Sequence, residues 1–479
     1  MRALIENLNF ALTVDKNDTV LRDASLVVEG DRIADIGPAR EIAARHKGSS
    51  FDKVIDGRML GVCPGFIDSH VHLSETLSRA VFPDNLNTRA WVFHWGKPFY
   101  AHITEEDEYW GALLGITEML RSGTTCFLDM GSQYDPGITI RAMEKTGIRG
   151  ITGRHAADNR PAELPRGWTE EMAEHHFFPD AQSALKVLEE CVKRYNNSLD
   201  GRARCWVNIE GKEPCSLDLH VGAVALAEKL GVGTTYHLAT SIEEARVCES
   251  KYGCWPITRI DRAGGIRRNL VIAHGATVAD DEVKLLAERD AAVAFCPCSS
   301  IKIAKGATAI GKYPEMVQTG VKVGLGTDGV SAGGNLNLMR QVHLVAGLFK
   351  DARMKPDIFV ARQALRAATI EGARALMWDD EIGSLEIGKK ADFILFDLDH
   401  IEWTPFYDPL QALVYSATVA SIKQTWVDGQ ALYADGKVRG VDEVELRRKA
   451  RELAAAAVVR AGLHKEDVAT TTTLYDEGN

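Results

Sequence analysis

From residue 60 onward, short apolar runs alternate with longer stretches in which apolar positions recur every three to four residues. The runs at 60–72, 124–131, 148–155, 203–211, 231–239, 269–276, 291–299 and 321–329 are largely apolar throughout, as strands buried on both faces are. Segments between them, including 105–121, 181–195, 217–230 and 280–289, carry the period of helices packed on one face. Eight strand–helix units in a row predict an α/β fold with a (β/α)₈ TIM barrel over residues 60–379. An open doubly wound sheet is the competing arrangement, and no G-x-G-x-x-G turn supports it.

The two ends read differently. Residues 3–14 and 24–36 are β-rich, and Glu29-Gly30-Asp31 separates two apolar runs as a hairpin turn does. Residues 382–396 and 425–433 return to strand-like composition punctuated by glycine. Together the ends predict a small composite β-sandwich domain, residues 1–59 and 380–440, beside the barrel. Residues 441–479 complete the chain as a C-terminal helix over 441–463 and a loose tail over 469–479.

Composition narrows the function classes. The 479 residues are 45% hydrophobic and carry a net charge of −11, which argues against nucleic acid or an anionic membrane as the main partner. The longest apolar runs, such as 454–459, fall far short of the ~20 residues that span a bilayer. Glu6 interrupts the start before a signal-peptide core forms. Nine cysteines without a C-x-x-C pair, the closest being Cys296-Pro297-Cys298, fit reduced thiols in a cytoplasm. A small-molecule substrate is the expected partner.

Barrel active sites lie at the C-terminal ends of the strands. The first strand run ends in His70-Val71-His72, the fifth near His237, the sixth near His274 and the eighth near Asp328. Residues two apart in a strand point the same way, so His70 and His72 can face one metal. With 14 histidines in the chain, chance alone gives about 0.4 H-x-H pairs, so the weight rests on four strand ends meeting at one mouth. His175-His176, in a polar loop, reads as solvated.

These residues sit in motifs. Pro64-Gly65-Phe66-Ile67-Asp68-Ser69-His70-Val71-His72 resembles the first-strand motif of the amidohydrolase superfamily. Residues 118–125, Cys296-Pro297, Gly324-Leu325-Gly326-Thr327-Asp328-Gly329 and 382–392 are similar to the branch that contains triazine hydrolases, guanine deaminase and adenosine-type deaminases. The resemblance covers nearly the whole chain. It implies the barrel with its composite sandwich, a homo-oligomer, and one divalent transition metal held by His70, His72, His237 and Asp328. Zinc is the first choice, with Co, Fe or Mn as alternatives. It further implies Asp328 and His274 as the catalytic pair. A metal with an open position lowers the pKa of bound water toward ~7, Asp328 takes the proton and returns it to the leaving group, and His274 steadies the water or the developing oxyanion. Asp68 is a candidate to orient a ligand.

The chain departs from this branch at three polar positions. Thr240 stands where ring deaminases carry a glutamate three residues after the fifth-strand histidine. Phe295 replaces the histidine before Cys-Pro, and Ser331-Ala332-Gly333-Gly334 replaces a polar run. A threonine hydroxyl cannot protonate a ring nitrogen. The expected reaction is therefore hydrolysis of an amide, urea, carbamate or thiocarbamate, as in phenylurea and molinate hydrolases. Deamination or dehalogenation of a triazine, purine or pyrimidine is the alternative, and a non-catalytic scaffold ranks below both. Trp91, Phe93 and Trp95, with Thr240 and Phe295, are the expected substrate-binding residues. Lys212 or Glu210, at the fourth strand end, would be needed for a second metal, and Glu243 and Glu244 read as solvated.

Overall fold

The structure, a computed structural model, describes residues 1–165 and 167–463. Eight parallel strands form one sheet in sequence order: Phe66–Val71, Thr124–Asp129, Arg149–Gly153, Ala203–Gly211, Thr234–Leu238, Leu270–His274, Ala292–Phe295 and Lys322–Leu325. A parallel bridge between Val71 and Asp328 joins the last strand end to the first and rounds the sheet into a barrel. That bridge places Asp328 beside the His70-Val71-His72 strand end.

Helices cover the barrel. Glu105–Arg121 starts at Thr104, whose hydroxyl accepts the Asp107 N–H while Asp107 reaches back to the Thr104 N–H. Leu217–Leu230 is capped by Ser216 and stopped by Gly231 in the left-handed region. Ala181–Tyr195 buries Ala184, Leu188 and Val192 along one stripe. The described C-terminal helix runs Glu443–Arg460, and the tail expected at 469–479 lies outside the described residues.

The second sheet has nine strands, five from the N-terminal end and four from the C-terminal end, and is mostly antiparallel. Val20–Glu29 and Arg32–Pro38 form the expected hairpin, with Gly30 at φ 63° in its turn. Ile5, Leu26, Val28, Val62, Phe393, Leu395 and Trp426 fill the core of this sandwich.

One boundary differs from the sequence expectation. The apolar run 60–72 is not a single barrel strand, because Leu60–Pro64 pairs with the terminal sheet and only Phe66–Val71 enters the barrel. The break falls at Gly65, where a Cβ would lie 2.1 Å from Thr125 Oγ1. Only a residue without a side chain lets the chain pass so close to the second barrel strand.

Arg149 ties the two sheets together. It begins the third barrel strand, and both it and Asp392, just ahead of the Phe393–Asp397 strand, have side chains only 1% exposed. Its Nε donates to Asp392 Oδ2 at 2.8 Å, and a second nitrogen donates to Asp428. Replacing Arg149 with methionine strands a buried carboxylate, and a loss of about 3–5 kcal/mol is expected. Urea unfolding of Arg149→Met against the parent measures it; an unchanged midpoint would remove the pair from the account of domain docking.

Candidate active site

His70, His72 and His237 bring ligand nitrogens to within 4.8 Å of one another, and His70, His274 and Asp328 do the same. Two of these rings are fixed from behind. His237 Nδ1 donates to the Glu210 carbonyl at 2.7 Å, which leaves Nε2 with a lone pair facing inward. His72 Nδ1 lies 3.2 Å from Glu75 Oε1, so its Nε2 also faces inward. The two Nε2 atoms then stand 3.2 Å apart.

Two lone pairs cannot face each other at that distance without a cation between them. A proton is one answer. Burial pushes His72 down, but Glu75 and Asp328 outweigh it and lift its pKa to about 9. That proton does nothing for His70, whose ring is fully buried with neither nitrogen in a hydrogen bond. Burial drives His70 down to about 4, so it stays neutral and presents a lone pair. A divalent ion satisfies all three imidazoles at once, and nitrogens bound to zinc at ~2.0–2.1 Å stand about 3.3 Å apart in a tetrahedron.

Asp328 is used from both sides. Oδ1 lies 3.6 Å from His70 Nε2 and 3.5 Å from His72 Nε2, on the side of the three imidazoles. Oδ2 accepts from the Ser299 hydroxyl at 2.6 Å and lies 3.8 Å from His274 Nε2 and 3.6 Å from Lys305 Nζ. Burial opposes its ionisation, yet Lys305 and His274 hold its pKa well below the usual carboxylate range. His274 and Asp328 adopt φ of 76° and 62°, costly for non-glycine residues and common where a side chain must be aimed. Tyr313 helps hold the first by donating to the His274 carbonyl at 2.8 Å.

Asp68 acts on backbone rather than on a ring. It accepts the His70 N–H, the Thr327 N–H and the Thr327 hydroxyl, tying the first strand to the eighth. Burial raises it to about 7.

The cluster opens into a cavity of about 290 Å³. Trp91, Phe93 and Thr240 line it, together with Gly96, Tyr100 and Trp168. The aromatic segment is helical: a π-helical turn, Trp91–Gly96, runs into a short helix, Lys97–Tyr100. Trp95 faces away from the cavity and packs with Phe82, Phe99 and Ala457, the last from the C-terminal helix. Phe295 is also outside it, stacked on Tyr313 with ring centres 3.8 Å apart.

Several polar residues differ from their sequence reading. His176 is not solvated; its Nε2 lies 3.0 Å from Glu210 Oε2. Glu210 also takes Lys97 at 2.7 Å, so both its oxygens are engaged by the protein rather than open to a second metal. Lys212 lines the cavity with φ 54°. Glu244 is folded over the fifth strand end, accepting the Ala239 and Thr240 N–H groups and the Thr240 hydroxyl. Lys305 and Glu75 are site residues that the strand-end reading passed over. The spacing H-x-H-x-x-E is a usable signal for Glu75. Nothing in the local pattern marks Lys305, whose burial depends on the loop after the seventh strand folding inward.

The chain matches the amidohydrolase family over residues 62–432, and it belongs to that family. It is 32% identical to a 5-methylthioadenosine/S-adenosylhomocysteine deaminase of Thermoanaerobacter pseudethanolicus, over 92% of this chain and 96% of that one. It is 31% identical to a 5'-deoxyadenosine deaminase of Methanosarcina acetivorans, over 94% of this chain and 98% of that one. The crystal structure of an adenosine deaminase from Xanthomonas campestris with bound zinc superposes with a TM-score of 0.84 at 24% identity, covering 95% of this chain and 98% of that one. The protein is thus a metal-dependent hydrolase of C–N bonds.

Removing Glu75 frees His72 to rotate and lowers its basicity. Glu75→Ala is expected to weaken metal affinity roughly 10–100-fold, read by competition against a chromogenic chelator. Unchanged affinity would mean that Glu75 does not orient the ligand.

Proposed function

We propose that the chain is a hydrolytic deaminase of an amino-substituted N-heterocycle, with one zinc ion held by His70, His72, His237 and Asp328. The observation that carries this reading is the buried set of three imidazoles and one carboxylate in a chain whose full-length relatives are named as deaminases. It replaces the amide and urea hydrolysis expected from the sequence. Thr240 motivated that expectation, and relatives aligned over more than nine-tenths of both chains weigh more than one missing carboxylate.

When bound, the metal polarises a water and makes it available as a nucleophile near neutral pH. The chain's own residues do the rest. Asp328, ionised and held by Ser299 through Oδ2, accepts a proton from the attacking water. His274 lies beside the same oxygen and donates to the oxygen as it adds to the ring carbon. Water adds its oxygen to that carbon as the ring C=N pair moves onto the ring nitrogen, which ends with the second water proton; the C–N bond to the exocyclic amine then breaks, and the proton held on Asp328 leaves with that nitrogen as ammonia. The ring carbon ends as a carbonyl. Trp91, Phe93 and Trp168 supply flat apolar walls for the ring.

Carbonyl hydrolysis of an acyclic urea or carbamate is the second reading, and Thr240 favours it. Attack on an acyclic carbonyl needs no protonation of a ring nitrogen, and so no carboxylate at position 240.

Purified protein should hold about one metal per chain, release ammonia from an amino-heterocycle, and lose that activity to chelator. Asp328→Asn should reduce kcat by at least about 100-fold. Metal-dependent release of an amine from phenylureas, with no ammonia from any heterocycle, would overturn the deaminase in favour of the second reading.

A further inference from the structure

Beside the histidine cluster, the same cavity holds a second group of ionisable side chains: Lys97, His155, His176 and Glu210. Lys97 is the most telling. Its side chain is 9% exposed, and its ammonium lies 2.7 Å from Glu210 Oε1. An ammonium has three donors, and among the described residues that oxygen is the only hydrogen-bond acceptor Lys97 meets. The other neighbours are the rings of Trp168 and Phe177, with centres 5.8 and 5.9 Å away, which hold the charge without accepting a directed hydrogen bond.

Two donors are therefore left facing the cavity, free to meet an acceptor that enters it. His155 repeats the pattern, since its Nε2 is buried with no partner.

The charge is already balanced. Glu210 Oε1 pairs with the Lys97 ammonium at 2.7 Å, and its other oxygen lies 3.0 Å from His176 Nε2. A Lys–Glu pair of this kind has no need of an anionic ligand and suits a neutral acceptor. Position narrows the acceptor further. The Glu210 carbonyl takes the His237 Nδ1 proton at 2.7 Å, so the residue that sets Lys97 also sets a member of the metal cluster. Lys97 and Glu210 line the same cavity as His72, His237 and Asp328, so a ring held at the cluster shares its space with the Lys97 ammonium.

We propose that Lys97, set by Glu210, is a specificity-determining residue that donates to a carbonyl oxygen on the substrate ring. The preferred substrates are then amino-oxo heterocycles, such as aminopurinones and aminopyrimidinones, over aminopurines and aminopyrimidines that lack the carbonyl. This rests on the deaminase reading and departs from the adenine nucleosides in the relatives' names, whose base carries no carbonyl.

Matched pairs test it: guanine against 2-aminopurine, isoguanine against adenine, and cytosine against 4-aminopyrimidine. In the metal-loaded enzyme, kcat/KM for ammonia release should favour the oxo member by at least about 10-fold. Lys97→Met/Glu210→Gln, which removes both charges and strands neither, should bring the pair to near equality, while Lys97→Arg retains a preference. Equal rates in the parent, or a preference that survives the double variant, would overturn the proposal.

Calorimetric binding of the same pairs answers the question without turnover. Oxo-selective binding that disappears in the double variant, with no ammonia from any pair, would sink the deaminase reading and leave the clamp standing. Equal binding of the two members would sink the clamp.

Discussion

Two imidazole nitrogens held 3.2 Å apart, each with its other nitrogen already engaged, are the constraint around which the barrel mouth is organised. Without a metal, His72 and His237 need a proton between their facing nitrogens, and the buried ring of His70 beside them still has no partner for either nitrogen. The arrangement persists because much else enforces it. Glu75 and the Glu210 carbonyl fix the two rings from behind. Asp68 fastens the His70 backbone to Thr327, and the bridge from Val71 to Asp328 closes the barrel at that level. Imidazole lone pairs converging on one point beside a carboxylate are the imprint of a cation.

The chemistry follows from the asymmetry of Asp328. One oxygen faces the imidazoles, and the other faces Ser299, His274 and Lys305. A carboxylate shared in this way stays ionised, stays oriented, and can take a proton on the side away from the cluster. Over it lies a roof whose stability comes from elsewhere in the chain. Trp95 and Phe99 pack in one cluster with Phe82, with Ala457 of the C-terminal helix and with Ala461 just past its end, and the Tyr100 hydroxyl lies 2.7 Å from Ser331 Oγ beyond the eighth strand. The terminal elements therefore shape the pocket without contributing to the reaction.

The barrel was legible in the sequence because buried parallel strands and one-sided helices leave opposite signatures, and the predicted helices 105–121, 181–195 and 217–230 match the observed ones to the residue. Histidines at strand ends were legible for the same reason: once the strand is located, the active face follows. The joint at Gly65 was not, since the run from 60 to 72 is apolar on both sides of it and hydrophobicity carries no record of which sheet a strand joins. The polar lining was harder still. His176, Glu210 and Lys97 come from three separated segments, and local composition gives His176 the look of a solvated residue. Phe295 misled in the other direction. It stands next to a motif, but on its short strand it faces Tyr313 rather than the cavity.

Zinc-edge X-ray absorption on zinc-loaded protein tests the central assignment most directly. A coordination shell of nitrogen and oxygen at ~2.0–2.1 Å is expected, with three imidazoles visible in the multiple scattering and one lost in His70→Ala. A shell containing sulfur, or an imidazole count that His70→Ala leaves unchanged, would contradict it and place the metal elsewhere.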